Sequence, residues 1–281
     1  MVVIHFQNQE EVDYLYMLLK KHQSDGIQLT KGSLQLTVDI DDSNMEYGYS
    51  VLHVALKKLI LEKKRNDWWI SILEEEFFYT DLDEQLHILD MVHSIIAGKR
   101  NDLTVEIDHA ADERQIDEAI SDLLQTSQSF SLEAFITFRL RFYMEKLVTY
   151  IELAIDEYKL EQDYQMFIHY LRDFIKDRKA QMDCVYLVNN EGFIFFDENK
   201  QEIKRSELNK RIDRKLLTHH PIYVDSTTIA PLLSIAPNKI YLYTNEPEQG
   251  IIQTIKQVFE EKLEIEPLSN FSSYSTNFPI Q

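Results

Sequence analysis

The sequence predicts an α+β fold: a predominantly helical middle, about residues 43–178, with small mixed strand elements at the N- and C-terminal ends. Three observations carry this. No proline precedes Pro221, and all six (Pro221, Pro231, Pro237, Pro247, Pro267, Pro279) fall from there onward. The stretch between Gly98 and Gly192 also lacks glycine, so it holds no residue that breaks a helix. Short β-type runs lie toward the two ends, at 2–6, 27–38, 184–196, 240–243 and 263–265. The implied organisation is an N-terminal αβ element (1–42), a helical region (43–180), a C-terminal αβ region (181–267) and a flexible tail (268–281).

Taken in order, Val2–Phe6 is a short apolar strand. Asn8 and Glu11 have capping-box spacing, and Val12, Leu15, Tyr16, Leu18 and Leu19 continue as a helical stripe that Gly26 ends. Ile27–Thr30 and Leu34–Val38 alternate about a two-residue turn at Lys31-Gly32, the pattern of a hairpin. Ser43 and Glu46 are spaced to cap a helix carrying Val51, Val54, Ala55, Leu56, Leu59 and Ile60. A second helical segment holds Trp68-Trp69 and leads to Phe77-Phe78-Tyr79, and a third runs from Asp81 to Gly98. Residues 101–125 are strongly acidic, yet Ile116, Ile120, Leu123 and Leu124 form one helix face. Thr104–Ile107 reads as extended.

Apolar residues then step by three and four from Ser131 to about Arg178, and the expectation is two helices bent near Lys159–Asp163. Val185–Val188, the turn Asn189–Gly192 and Phe193–Phe196 form a second hairpin. A basic helix follows at 200–215, then a helix at Ser226–Ile235. Ile240–Ile265 completes the chain as a strand–helix–strand unit, the helix spanning Glu246–Glu260. That unit echoes Val3–Leu29, and the sequence leaves open whether the two ends share one sheet.

Composition narrows function by exclusion. Net charge is −19, which disfavours a whole-protein binder of nucleic acid or anionic membrane and favours a basic partner. Cys184 is the single cysteine, so neither an internal disulfide nor a cysteine-based zinc site is expected. Met1–Glu10 does not read as a signal peptide, and no run is apolar enough for a membrane span, so the expected location is cytoplasmic. Six scattered glycines make no phosphate loop, and no cofactor is expected.

Several constellations could carry chemistry. Glu84, His87, Asp90 and His93 on the helix at 81–97 are candidate metal or catalytic residues, because Glu-x-x-His projects two ligands from one helix face. Steps of three drift around the helix, so histidines on an amphipathic surface are the preferred reading. Glu106 and His109 repeat the spacing in the extended-looking segment. Asp39–Ser50 begins like a calcium loop but has Ser50 where a bidentate glutamate is required. Lys200–Lys215 carries a local +4 in a chain whose remainder sums to −23. Lys204, Arg205, Lys210, Arg211, Arg214 and Lys215 form the candidate basic patch, for which pairing with the acidic 101–125 segment is preferred over nucleic acid or an anionic membrane surface. Trp68-Trp69 is read as core.

Phe135-Ile-Thr-Phe-Arg139-Leu-Arg-Phe-Tyr143, the run Glu161–Phe174 and Ser226-Thr-Thr-Ile-Ala-Pro-Leu-Leu-Ser-Ile235 with Pro237–Tyr243 resemble the YtxC-like family, sporulation proteins by name, of endospore-forming bacteria. The resemblance covers about 130–266. It implies a cytoplasmic protein linked to sporulation and transfers no catalytic residue. The expected function is a non-catalytic interaction or regulatory protein whose partner is another protein, since amphipathic helices can offer docking faces. The alternatives are an enzyme or metal protein built on the 81–97 helix, and a weak nucleic-acid binder built on the basic helix.

Overall fold

The computed structural model describes residues 1–23, 26–98, 109–213, 216 and 225–271. It is α+β, with helices through the middle and two small mixed sheets. Two compact units divide the chain, Met1–Lys159 and Leu160–Gln281. The strands of the two ends lie in separate sheets, which answers the question the sequence left open.

The first unit opens with β1 (Val2–His5), α1 (Gln9–Lys20), β2 (Ile27–Lys31) and β3 (Gln35–Ile40). The Asn8 side chain accepts from the Glu11 N–H at 3.0 Å and donates to the Glu11 carboxylate at 3.0 Å, so Asn8 caps α1 at the spacing read from the sequence. Sheet order is β2-β3-β1-β4, where β4 (Ser129–Ser131) lies parallel to β1. The first hairpin turns later than expected. Lys31 still pairs with Leu36, and the turn is closed by the Gly32 N–H donating to the Gln35 carbonyl at 2.8 Å.

A short 3₁₀ turn, Asp42–Asn44, precedes α2 (Met45–Lys58). Asp41 caps this turn, accepting from the Ser43 N–H at 3.3 Å, and the N-cap of α2 is Asn44, not Ser43. The calcium-like run is thus a strand end leading into a cap. Gly48 lets α2 lie against β3, because a Cβ there would meet Ile40 Cγ2 at 2.3 Å. A π-helical stretch, Leu59–Lys64, then joins α2 to α3 (Arg65–Glu75). Its wider turn re-phases the apolar face, so that Leu52 and Leu56 before it, Leu59 and Ile60 at its start and Trp69 and Leu73 after it are all buried. Lys63 and Lys64 of this stretch reach back to Glu10 (3.1 Å) and the buried Glu11 (2.6 Å) on α1.

α4 (Leu82–Ile96) starts at Asp81, whose carboxylate accepts from the Asp83 and Glu84 N–H groups, and ends before Gly98 at φ +64°. α5 (His109–Thr126) buries Ile116 and Ile120; residues 101–108, with Glu106 and the Thr104–Ile107 segment, lie outside the described residues. α6 (Leu132–Arg139) and α7 (Arg141–Lys176) follow. Where two helices were expected to meet near 159–163, α7 is a single helix of 36 residues, and the interruption falls at Leu140 instead. No glycine or proline stands near 159–163 to end a helix there. One continuous core, running from Val2 and Ile4 through Leu56 and Trp69 to Leu147 and Ile151, fills this unit. Truncating one such side chain to alanine costs about 2–5 kcal/mol.

In the second unit the sheet order is β6-β5-β7-β8, built from β5 (Cys184–Asn189), β6 (Phe193–Phe196), β7 (Lys239–Tyr243) and β8 (Leu263–Glu266). The β5–β6 hairpin turns through Glu191 and Gly192, both at positive φ. α8 (Arg205–Arg211) is shorter than the basic helix expected at 200–215, and α9 (Ile229–Ile235) starts three residues late. The β7–α10–β8 unit is parallel as expected, with α10 at Gly250–Phe259. Val185, Leu187, Ile240 and Leu242 on one sheet face share a second core with Ile252 and Ile255 of α10.

Candidate protein-docking surface

α3 ends in a turn that treats three consecutive aromatics differently. The Phe77 N–H donates to the Ile72 carbonyl at 3.3 Å and the Tyr79 N–H to the Leu73 carbonyl at 2.8 Å. Phe77 and Tyr79 pack against the core, and Tyr79 meets Tyr158 of α7 edge-on at 6.2 Å. Between them Phe78 takes φ +61°, a left-handed conformation usually left to glycine at a helix end, and its ring is 81% exposed. Such a backbone costs of order 1 kcal/mol and needs its surroundings to hold it. Gln85, buried in the first turn of α4, supplies that hold by donating to the Tyr79 carbonyl (2.8 Å) and the Glu74 carboxylate (3.1 Å).

The apolar exposure continues onto α4. Leu82 (73% exposed) and Leu86 (61%) stand one turn apart on its outer face, with Asp90 one turn further. Around them the charge is one-sided. No lysine or arginine occurs between Arg65 and Lys99, while Glu74, Glu75, Glu76, Asp81, Asp83, Glu84 and Asp90 do. Three of these acids have local work: Asp81 caps α4, Glu74 accepts from Gln85, and Glu84 accepts from the Tyr158 hydroxyl at 3.1 Å. Desolvation, and then that bond to Glu84, raises the Tyr158 phenol above its ordinary pKa. Glu75, Glu76, Asp83 and Asp90 are exposed and, among the described residues, form no ion pair.

The metal-candidate residues lie on this same helix but are not drawn together. Glu84 serves Tyr158, His87 stacks on the Tyr158 ring at 6.5 Å, and His93 meets Trp69 edge-on at 5.1 Å. Asp90 is exposed. No group of three or more His, Cys, Asp or Glu side chains among the described residues is arranged to hold a metal. In the basic patch, Lys204, Arg205, Lys210 and Arg211 are exposed on and just before α8, whose Leu208 is buried; Arg214 and Lys215 lie outside the described residues.

Sequence reasoning missed one polar cluster between α2 and α5. His53 Nε2 is 3.0 Å from Asp117 Oδ1, Ser121 Oγ is 3.4 Å from His53 Nδ1, and Lys57 reaches Asp117 (2.9 Å) and Glu113 (3.1 Å). Burial pushes the Asp117 carboxyl up, but hydrogen bonds from His53 and Lys57 outweigh it and hold the group below the usual range. A shallow cavity of about 660 Å³ lined by Tyr49, Ser50, Ser121 and Gln125 opens beside the ring. The order Asp–His–Ser invites comparison with nucleophilic catalysis. Ser121, however, lies inside α5, where the helix consumes the backbone N–H groups that would have to stabilise an oxyanion. The cluster is a clamp between two helices.

The motif Phe135–Tyr143 is mostly core: Phe135, Ile136, Leu140 and Tyr143 are buried. Phe138 and Phe142 turn outward, into a surface of mixed charge where Arg139 meets Asp122 (3.6 Å) and Arg141 meets Glu145 (3.2 Å). Lys146 sits over the Phe142 ring.

The model of the YtxC-like family matches residues 50–264, which includes α3 and α4. The chain belongs to the YtxC-like family. It is 38% identical over 217 residues to the "Uncharacterized protein YtxC" of Bacillus subtilis (strain 168), covering 77% of this chain and 76% of that relative. No solved structure matches. No helix among the described residues is long and apolar enough to cross a membrane.

Proposed function

We propose that this chain is a non-catalytic interaction protein of the cytoplasm, acting in the sporulation programme by docking another protein on the surface formed by Phe78, Leu82 and Leu86. The link to sporulation rests on the family resemblance. The docking reading rests on one observation above the rest: a phenylalanine held in a strained left-handed conformation with its ring in water. A bulky side chain gains nothing for folding there, and strain of this kind is kept where it serves a function. Glu84 and His87 are committed to Tyr158, which weighs against the metal alternative. The charge of the chain weighs against nucleic acid as the partner of the basic helix.

The test is affinity capture from sporulating cells with the native chain and with Phe78→Asp in parallel. The expected result is a specific partner held by the native chain and lost by the variant, with both proteins equally folded by circular dichroism. A partner set that ignores Phe78→Asp would remove the surface from the reading. Turnover measured on a defined substrate, with no specific partner, would remove the reading itself.

A further inference from the structure

We infer that the occupant of the Phe78–Leu82–Leu86 surface is a basic amphipathic helix of another protein, with apolar residues one turn apart and lysine or arginine on either side of them. The inference rests on the docking reading above and adds the chemistry of the partner. Leu82 and Leu86 present an apolar ridge along a helix, and such a ridge packs best against the i, i+4 ridge of a second helix. The rim decides the charge. Glu75, Glu76, Asp83 and Asp90 are exposed, no lysine or arginine lies between Arg65 and Lys99, and the described residues supply these four with no counter-ion. Complementary potential raises the association rate and rejects like-charged partners.

The other occupants fail on the same observations. A second copy docking face to face would bring two acidic rims together in an isologous contact. A second copy offering its basic helix would have to present an apolar anchor, and α8 has already buried Leu208 in its own core. Nucleic acid and anionic lipid are repelled by the rim.

The experiment is fluorescence anisotropy on the full chain with three labelled synthetic peptides of about 18 residues, long enough for partial helicity. The first carries leucines at i, i+4 and i+8 with flanking lysines. The second replaces the lysines by glutamates, and the third keeps the first composition with the leucines scattered. Expected is saturable binding of the first peptide, about tenfold weaker with the second and third, and about tenfold weaker in Phe78→Asp and Leu82→Asp proteins that keep their native urea midpoint. Affinity should fall as salt rises, because exposed charge pairs are screened. Equal binding of the three peptides, or indifference to Phe78→Asp, overturns the inference. A photo-crosslinking amino acid at Leu86 in sporulating cells separates the two levels. Crosslinks to a protein that the first peptide does not displace would overturn the basic helix and leave docking standing. Neither crosslinks nor peptide binding would overturn both.

Discussion

Two acidic helical regions of the first unit use their charge in opposite ways. Along α5, Asp112 meets Lys146, Glu113 and Asp117 meet Lys57, and Asp122 meets Arg139. From the end of α3 into α4, four acids stay exposed with no described cation, around apolar side chains that also stay exposed. Negative charge alone therefore does not mark a binding face. What distinguishes the second region is the absence of paired cations together with Phe78, Leu82 and Leu86. The first region spends its acids on holding helices together, and the second leaves them free to act at a distance.

The largest expected effect belongs to the first region. Asp112 is buried, and its carboxylate accepts from both Lys146 and the Tyr150 hydroxyl. Asp112→Ala takes this acceptor from the Lys146 ammonium and the Tyr150 hydroxyl. The pair is only partly buried, with Lys146 28% exposed, so removing its carboxylate costs about 2 kcal/mol. Urea unfolding should show a loss of that order, with the slope unchanged. A loss under about 0.5 kcal/mol, typical of a surface site, would erase the contrast between the regions.

Phe78→Gly should have the opposite sign. Glycine adopts φ +61° without penalty, so relieving the strain outweighs the added freedom of the unfolded chain. The variant should unfold at higher urea, a gain of about 1 kcal/mol at most, while the partner retained by the native chain is lost. Stability gained and binding lost together is the signature of a residue kept for function. A destabilised Phe78→Gly protein would mean that the ring supports the fold.

Much of the fold was legible in the sequence because local chemistry decides it. Asn8 and Asp81 start helices, Gly98 ends one, and residues 132–176, with no glycine or proline, run as helix but for the break at Leu140. What escaped depends on distant partners. β4 is three residues with a single apolar side chain, too short to signal, and exists because β1 offers a free edge. The interruption at Leu140 and the π turn at Leu59–Lys64 serve core packing and leave no local mark. Phe77, Phe78 and Tyr79 look alike in sequence; Tyr158, far along the chain, and Gln85 decide which of them turns outward. The candidate site was half legible. Leu82 and Leu86 flank Glu84 and His87, the candidate metal ligands, and the run without lysine or arginine is plain in the sequence.

The smallest expected effect probes the α2–α5 clamp by pH. Asp117 is depressed in the folded protein, burial opposing and the hydrogen bonds from His53 and Lys57 prevailing. A carboxyl whose folded pKa lies below its unfolded value, about 3.9, contributes stability above that unfolded value and loses it as pH falls through the folded one. Its side chain is 38% exposed, so solvent screens the pair and the contribution is that of a surface bridge, about 0.5–1 kcal/mol. Asp117→Asn should therefore cost that much at pH 7. The gap between native and variant should close as pH falls below about 4, since protonation abolishes in the native protein what the substitution has already removed. Added salt should narrow the gap at pH 7 as well. Urea unfolding of both proteins from pH 7 to pH 2 decides it. A gap that persists unchanged at pH 2 would show that Asp117 acts through shape and not charge, and α5 would then differ less from the α3–α4 surface than its ion pairs imply.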